Sequence, residues 1–126
     1  MSVHVEDLRD RSRGEQFSWW TWRPIVELIG SLGLFDQRRL ANASDGFGEF
    51  TADEARQIAA GLEERVLPRL HPDARVRLDG TATDEPDDGT FHRTADTMHL
   101  NYSVPYEDLV RFTELCKTAD GLYVSQ

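Results

Sequence analysis

The tightest constraint on this chain is the run Phe17-Ser18-Trp19-Trp20-Thr21-Trp22-Arg23-Pro24, which holds all three tryptophans and leads straight into Ile25-Val26-Glu27-Leu28-Ile29. Burying one indole removes roughly 150–250 Å² from water. That is worth at most about 4–6 kcal/mol per tryptophan. Three such side chains in so short a stretch cannot all point the same way. Proline fixes its own φ near the helical value and lacks an N–H, so it suits the first turn of a helix. The residue before it is pushed towards extended backbone. This predicts a helix opening at Pro24, with Arg23 at its boundary and Phe17 to Trp22 extended. In an extended segment Trp20 and Trp22 share a face with Ser18, and Trp19 lies opposite. One face enters the core, and the other needs a loop, a ligand or a partner.

Downstream of Pro24, Ile25, Leu28, Ile29 and Leu32 follow the i, i+3, i+4, i+7 pattern of one buried helix face, with Gly30 or Gly33 ending the helix. Asp36 to Phe50 lacks clear periodicity and is dense in turn formers, so it reads as a loop packed through Phe47 and Phe50. The second helix is the best signalled. Thr51 and Glu54 form a capping box, and Ala55, Ile58, Ala59, Leu62 and Val66 mark a buried face before Pro68. Val76 and Leu78 alternate with Arg75 and Arg77, a short half-exposed strand. Residues 80–89, with Asp84, Glu85, Asp87 and Asp88 around Pro86, read as a flexible acidic loop. Met98, Leu100, Tyr102 and Val104 alternate with polar residues, predicting a strand over 97–104. Pro105 opens a third helix with Leu109, Phe112 and Cys116 inside, Glu107 and Asp108 in its first turn and Lys117 in its last. Leu122-Tyr123-Val124 closes the chain as a strand.

Residues 1–15 alternate acids with arginines and read as a frayed N-terminal segment. Residues 16–126 then form one domain. The expectation is a two-layer α+β fold, with about three helices on one face of a small, mainly antiparallel sheet of about three strands.

At 126 residues the chain can build one core without disulfides or metals. Its single cysteine excludes an internal disulfide framework and fits a reducing compartment. No apolar run marks a signal peptide or a membrane span, so a cytoplasmic location is expected. A net charge of −9 argues against nucleic-acid phosphate and anionic membranes as partners.

Chemistry is sparsely marked. His92, Asp96 and His99 have metal-ligand residue types, but a strand from Thr97 turns His99 to solvent, and zinc wants three or four ligands. Cys116 on a core helix face reads as an inert thiol. The acidic loop lacks the spacing of a calcium loop. No phosphate-binding glycine motif or nucleophile elbow is present. No cofactor is called for.

The motif Trp19-Trp20-Thr21-Trp22-Arg23-Pro24 before an apolar helix resembles an uncharacterised family of small bacterial and phage-associated proteins. Ser44-Asp45-Gly46 before a capped helix, and Val104-Pro105-Tyr106-Glu107-Asp108-Leu109 leading to Gly121-Leu122-Tyr123, extend the resemblance. It implies an accessory or interaction protein and brings no activity with it. The expectation is therefore a non-enzymatic acidic module that binds another protein, of inhibitor, immunity or accessory type. Its candidate contact residues are Trp19, Trp20, Trp22, Arg23 and Asp45. The alternative is a small-molecule-binding protein or small enzyme, with a pocket between the tryptophan segment and the sheet and Arg23, His92 or His99 as polar anchors.

Overall fold

In a computed structural model describing residues 2–126, the N-terminal segment is not frayed. It forms β1 (Ser2–Asp7), an inner strand of the larger sheet. Val3, Val5 and Asp7 point inwards, while Ser2, His4 and Glu6 stay partly exposed on the other side. β1 pairs antiparallel with β2 (Gly14–Ser18) on one flank and with β7 (Leu122–Ser125) on the other. β3 (Gly48–Phe50) adds to the far side of β7, giving the order β2-β1-β7-β3. Being hydrogen-bonded on both edges and burying two valines outweighs the charge that makes this stretch look like a tail.

Asp7 ties the end of β1 down. Only 3% exposed, its carboxylate accepts the backbone N–H of Arg9 (3.0 Å) and of Asp120 (3.2 Å) and pairs with Arg13 (3.2 Å). The Arg9 bond, more than the others, holds its pKa below the ordinary carboxylate value. At Gly14 a Cβ would come within 2.5 Å of the Val5 carbonyl oxygen, so glycine is what lets the β1–β2 hairpin close.

The first helix starts five residues earlier than Pro24 would suggest. α1 spans Trp19–Ser31, with Ser18 as N-cap accepting from the Thr21 N–H (3.3 Å) and Pro24 inside it. A mid-helix proline costs up to about 3 kcal/mol. Pro24 lies only in the second turn, and the helix it interrupts buries Trp22, Ile25, Val26, Leu28 and Ile29. The region read as a loop over 36–50 holds a further helix, α2 (Gln37–Ser44), capped by Asp36, and then β3. α2 was hidden because its few apolar residues, Leu40, Ala41 and Ala43, mark no helical face, and it fully buries only Ala43.

α3 (Ala52–Arg65) matches expectation, including both hydrogen bonds of the Thr51–Glu54 box. A second antiparallel sheet runs β5-β4-β6, from β4 (Arg75–Arg77), β5 (Ala82–Thr83) and β6 (Ser103–Pro105). The acidic loop is therefore pinned at its start through β5, and Arg75 donates to the Glu85 carbonyl (2.9 Å). The strand expected over 97–104 is mostly a 3₁₀ turn, Met98–Asn101, with only its end in β6. β4 is three residues long, so it offers residues before Ser103 no partner. α4 (Tyr106–Thr118) and β7 close the chain.

The fold is thus a mixed α+β arrangement. Within the described residues it has four α-helices and two antiparallel sheets, of four and three strands, rather than three helices on one three-stranded sheet. One apolar cluster draws on both sheets and all four helices.

Two tests follow from these contacts. Val5→Asp places a charge in the middle of this core and should abolish cooperative unfolding, read by circular dichroism against urea. Glu54 both caps α3 and holds Arg39 through two carboxylate oxygens. Hydrogen bonding from Arg39, before any other cause, lowers its pKa from 4.5 to about 2. A depressed carboxylate pKa stabilises the fold above the ordinary value, and that stability is lost as pH falls towards the folded one. Glu54→Gln should cost about 1 kcal/mol near neutrality, the pair being partly open to solvent. The gap in urea midpoint between the two proteins should close as pH falls from 4.5 towards 2.

Candidate functional site

α1 begins at Trp19, so its three indoles are set around a helix rather than across a strand, and they separate. Trp22 is 1% exposed. It stacks on Phe17 (centroids 6.1 Å apart) and meets Phe112 edge-on (5.8 Å). Its Nε1–H donates to the Ala43 carbonyl at 2.6 Å. The structure therefore places Trp22 wholly in the core, out of reach of any partner.

Trp19, Trp20 and Arg23 lie together on an outer face of α1, all half-buried. Two residues from a distant part of the chain join them. Trp20 packs against Tyr102 (4.7 Å) and Phe91 (5.5 Å). The Arg23 guanidinium sits 5.1 Å from the Trp19 ring centre and 5.8 Å from that of Tyr102. Its Nη1 also donates to the Tyr102 hydroxyl at 3.4 Å.

The loop carrying Phe91 and Tyr102 is closed by one side chain. Asn101 accepts the His92 N–H through Oδ1 and donates through Nδ2 to the His92 carbonyl, both at 2.8 Å. This amide reproduces the bond pair that two facing strand residues would exchange. It fixes the loop's neck so that Phe91 and Tyr102, just outside the closure, land on Trp20. Phe91 remains 52% exposed, and Met98 and Leu100 within the loop are exposed as well.

Arg23 is poorly satisfied. No carboxylate lies within ion-pair distance of it among the described residues, and its Nε is buried with no acceptor in reach. An unmatched buried donor costs about 1–3 kcal/mol. Its stacking on two rings offsets part of that. A cation held between aromatic rings, with hydrogen bonds left to make, is suited to contact and not to proton transfer.

The other expected residues lie elsewhere. Asp45 ends α2 with its side chain exposed, and its backbone carbonyl accepts Gln126 Nε2 at 2.6 Å. It has no part in the aromatic face. His92, Asp96 and His99 do not converge: among the described residues no three His, Cys, Asp or Glu side chains are placed to hold an ion. Cys116 is fully buried, and burial pushes its thiol pKa well up, so it stays protonated. A groove of about 890 Å³ opens between α1, α2, the segment after α3 and the β4–β5 turn, and takes no residue from Trp19 to Arg23.

Phe91 and Tyr102 are what the sequence reading missed. An aromatic in a polar loop was one available signal for Phe91. Tyr102 was read as a strand residue. No helix is long and apolar enough to cross a membrane among the described residues. Comparison with protein-family models, curated proteins and solved structures gives no match. What defines this chain is then its own geometry: a small α+β scaffold presenting an aromatic–arginine face built from one helix and one loop.

The three indoles should be separable in solution. Trp22→Ala should destabilise the fold by about 3–5 kcal/mol, whereas Trp20→Ala should cost about 1 kcal/mol, the scale of its ring contacts. Acrylamide should quench Trp19 and Trp20 strongly and leave a shielded component, which Trp22→Phe removes.

Proposed function

We propose that the chain is a non-enzymatic, acidic protein-binding module of inhibitor, immunity or accessory type, acting in the cytoplasm. Its contact surface is the face formed by Trp19, Trp20, Arg23, Phe91 and Tyr102. The observation that carries this reading is that large aromatics and one unpaired arginine gather on a surface where none is fully buried. Trp, Tyr and Arg are the residue types that dominate binding energy at protein interfaces. A neighbouring partner would complete the desolvation of Trp20 and Phe91 and supply an acceptor to Arg23.

The rest of the chain supports this reading. The net charge of −9 suits a partner with basic side chains and opposes nucleic acid or an anionic bilayer. The resemblance to small bacterial and phage-associated proteins through the Trp19-to-Pro24 motif points to the same kind of accessory role. Trp22 and Asp45, expected among the contacts, are left out, and Phe91 and Tyr102 take their place.

The test is a binding series on a partner isolated by crosslinking from the native host. Trp20→Ala and Phe91→Ala should each weaken that complex by roughly 30-fold or more, the hot-spot scale of about 2 kcal/mol. Phe47→Ala, an exposed aromatic outside the face, should leave it unchanged. Equal binding by all three variants, or no partner under any condition, would remove the proposal.

A further inference from the structure

The outward stripe of α1 carries a second inference. At about 100° per residue, Trp20, Arg23, Glu27 and Ser31 fall within an arc of about 80° on this helix. Trp20 and Arg23 are half-buried, whereas Glu27 and Ser31 are exposed. The stripe therefore runs beyond the aromatic face. It has an indole at one end, a small side chain at the other, and one charge of each sign between them.

Neither charge is matched within the chain. Arg23 donates through Nη1 to the Tyr102 hydroxyl (3.4 Å), and its Nη2 has no acceptor among the described residues. Of the Arg23 nitrogens only Nε is both buried and unbonded, so Nη2 is open to solvent. Glu27 is exposed and makes no ion pair or hydrogen bond among the described residues. The two side chains are four positions apart on one helix, but with the arginine leading, which is the weaker order for such a pair. The guanidinium is drawn instead onto the rings of Trp19 and Tyr102.

The order of these residues is complementary to itself. A two-fold axis beside Ile25, at right angles to the helix, sets a second α1 antiparallel to the first, so that residues equally far before and after Ile25 face each other. Arg23 then faces the Glu27 of the second copy, and Glu27 faces its Arg23. Trp20 faces Gly30 and the adjoining Ser31, whose hydroxyl is turned back onto the Leu28 carbonyl (2.6 Å). Gly30 and Ser31 also border the open groove, which leaves room for an indole. Two-fold pairing makes every such contact twice. Helix axes pack about 8–10 Å apart, a gap that arginine and glutamate side chains span. On a protein of net charge −9 most faces repel a second copy; this stripe sets opposite signs against each other.

We propose that the stripe is an interface between two copies of this chain, paired through antiparallel α1 helices. Reciprocal Arg23–Glu27 ion pairs sit at its centre, and the Trp20 indoles meet Gly30 and Ser31 at its ends. Phe91, packed on Trp20 and half exposed, widens it. An interface of this extent lies at the small end of specific ones, so the dimer is weak and dissociates on dilution. It shares Trp20 and Arg23 with the face proposed for partner binding, but it stands on Glu27, which that face does not use.

The experiment is sedimentation of the full chain from about 10 μM to about 1 mM, the range in which so small an interface would form. The mass should rise from one chain to two. Glu27→Arg, at an exposed side chain with no bond to lose, should weaken self-association at least about tenfold, because it sets like charges together twice. Arg23→Glu should do the same. An equimolar mixture of the two variants should associate again, since each supplies the charge the other lacks, a rescue that misfolded chains would not give. A chain that stays monomeric throughout, a Glu27→Arg variant that associates like the parent, or a mixture no better than its components would each overturn the interface. Glu27→Arg should still bind the partner of the aromatic face, so the two proposals fail separately.

Discussion

The indole of Trp22 is the contact on which the arrangement of the helices depends. It is buried between Phe17 of β2 and Phe112 of α4. Its single polar atom has one place to go, the Ala43 carbonyl near the end of α2. A buried N–H without an acceptor would cost more than the hydrogen bond gains, so the position of α2 follows from that of Trp22. The last carbonyls of a helix lack partners within it, and here that of Ala43 accepts both the Gly46 N–H (3.0 Å) just beyond the helix and the indole of a neighbouring helix. Strand, two helices and a third thus meet at one side chain, and the polar, weakly apolar α2 is fixed without a buried face of its own.

Once Trp22 is turned inwards, the rest of α1 has no freedom of rotation. At about 100° per residue, Trp20 stands some 200° away from it and Arg23 some 100°. The aromatic face is therefore the geometric consequence of the core. Read as a strand, the same stretch puts Trp20 and Trp22 on one side; read as a helix, it divides them. The position of a single helix start decides which tryptophans can meet a partner. Ser18 sets that start by accepting the Thr21 N–H, a cap that the reading from Arg23 and Pro24 did not include.

What could be read from the residues was whatever depends on neighbours in sequence. α3 was legible because its cap, its apolar spacing and its terminating proline all lie within one stretch. α4 and β7 were legible for the same reason. β1 was not, because only Val3 and Val5 mark it and its stability comes from two strands, one of them at the far end of the chain. α2 was not, because Ala43 is its one fully buried residue. At the candidate site, Trp19, Trp20 and Arg23 stood out by composition. Phe91 and Tyr102 did not, since they reach Trp20 only through a loop that Asn101 closes with its side chain. Such a closure leaves no periodicity to detect.

α1 bears the aromatic face on its first turns and lines the groove with its last, and Pro24 lies between them. Trp20 and Glu27 are seven residues apart, so they fall on nearly the same side of the helix, about 10 Å apart along its axis. Proline at position 24 has no N–H to offer the Trp20 carbonyl, which removes one rung of the backbone ladder at this point. The turn bearing Trp19, Trp20 and Arg23 is then held chiefly by Ser18, by the burial of Trp22 and by the rings of Phe91 and Tyr102. The later segment, bearing Glu27, Gly30 and Ser31, is anchored by Leu28, Ile29 and Leu32 in the core. The proline that misplaces the helix boundary on paper thus lies inside one helix that bears the aromatic face on its first turns and lines the groove with its last.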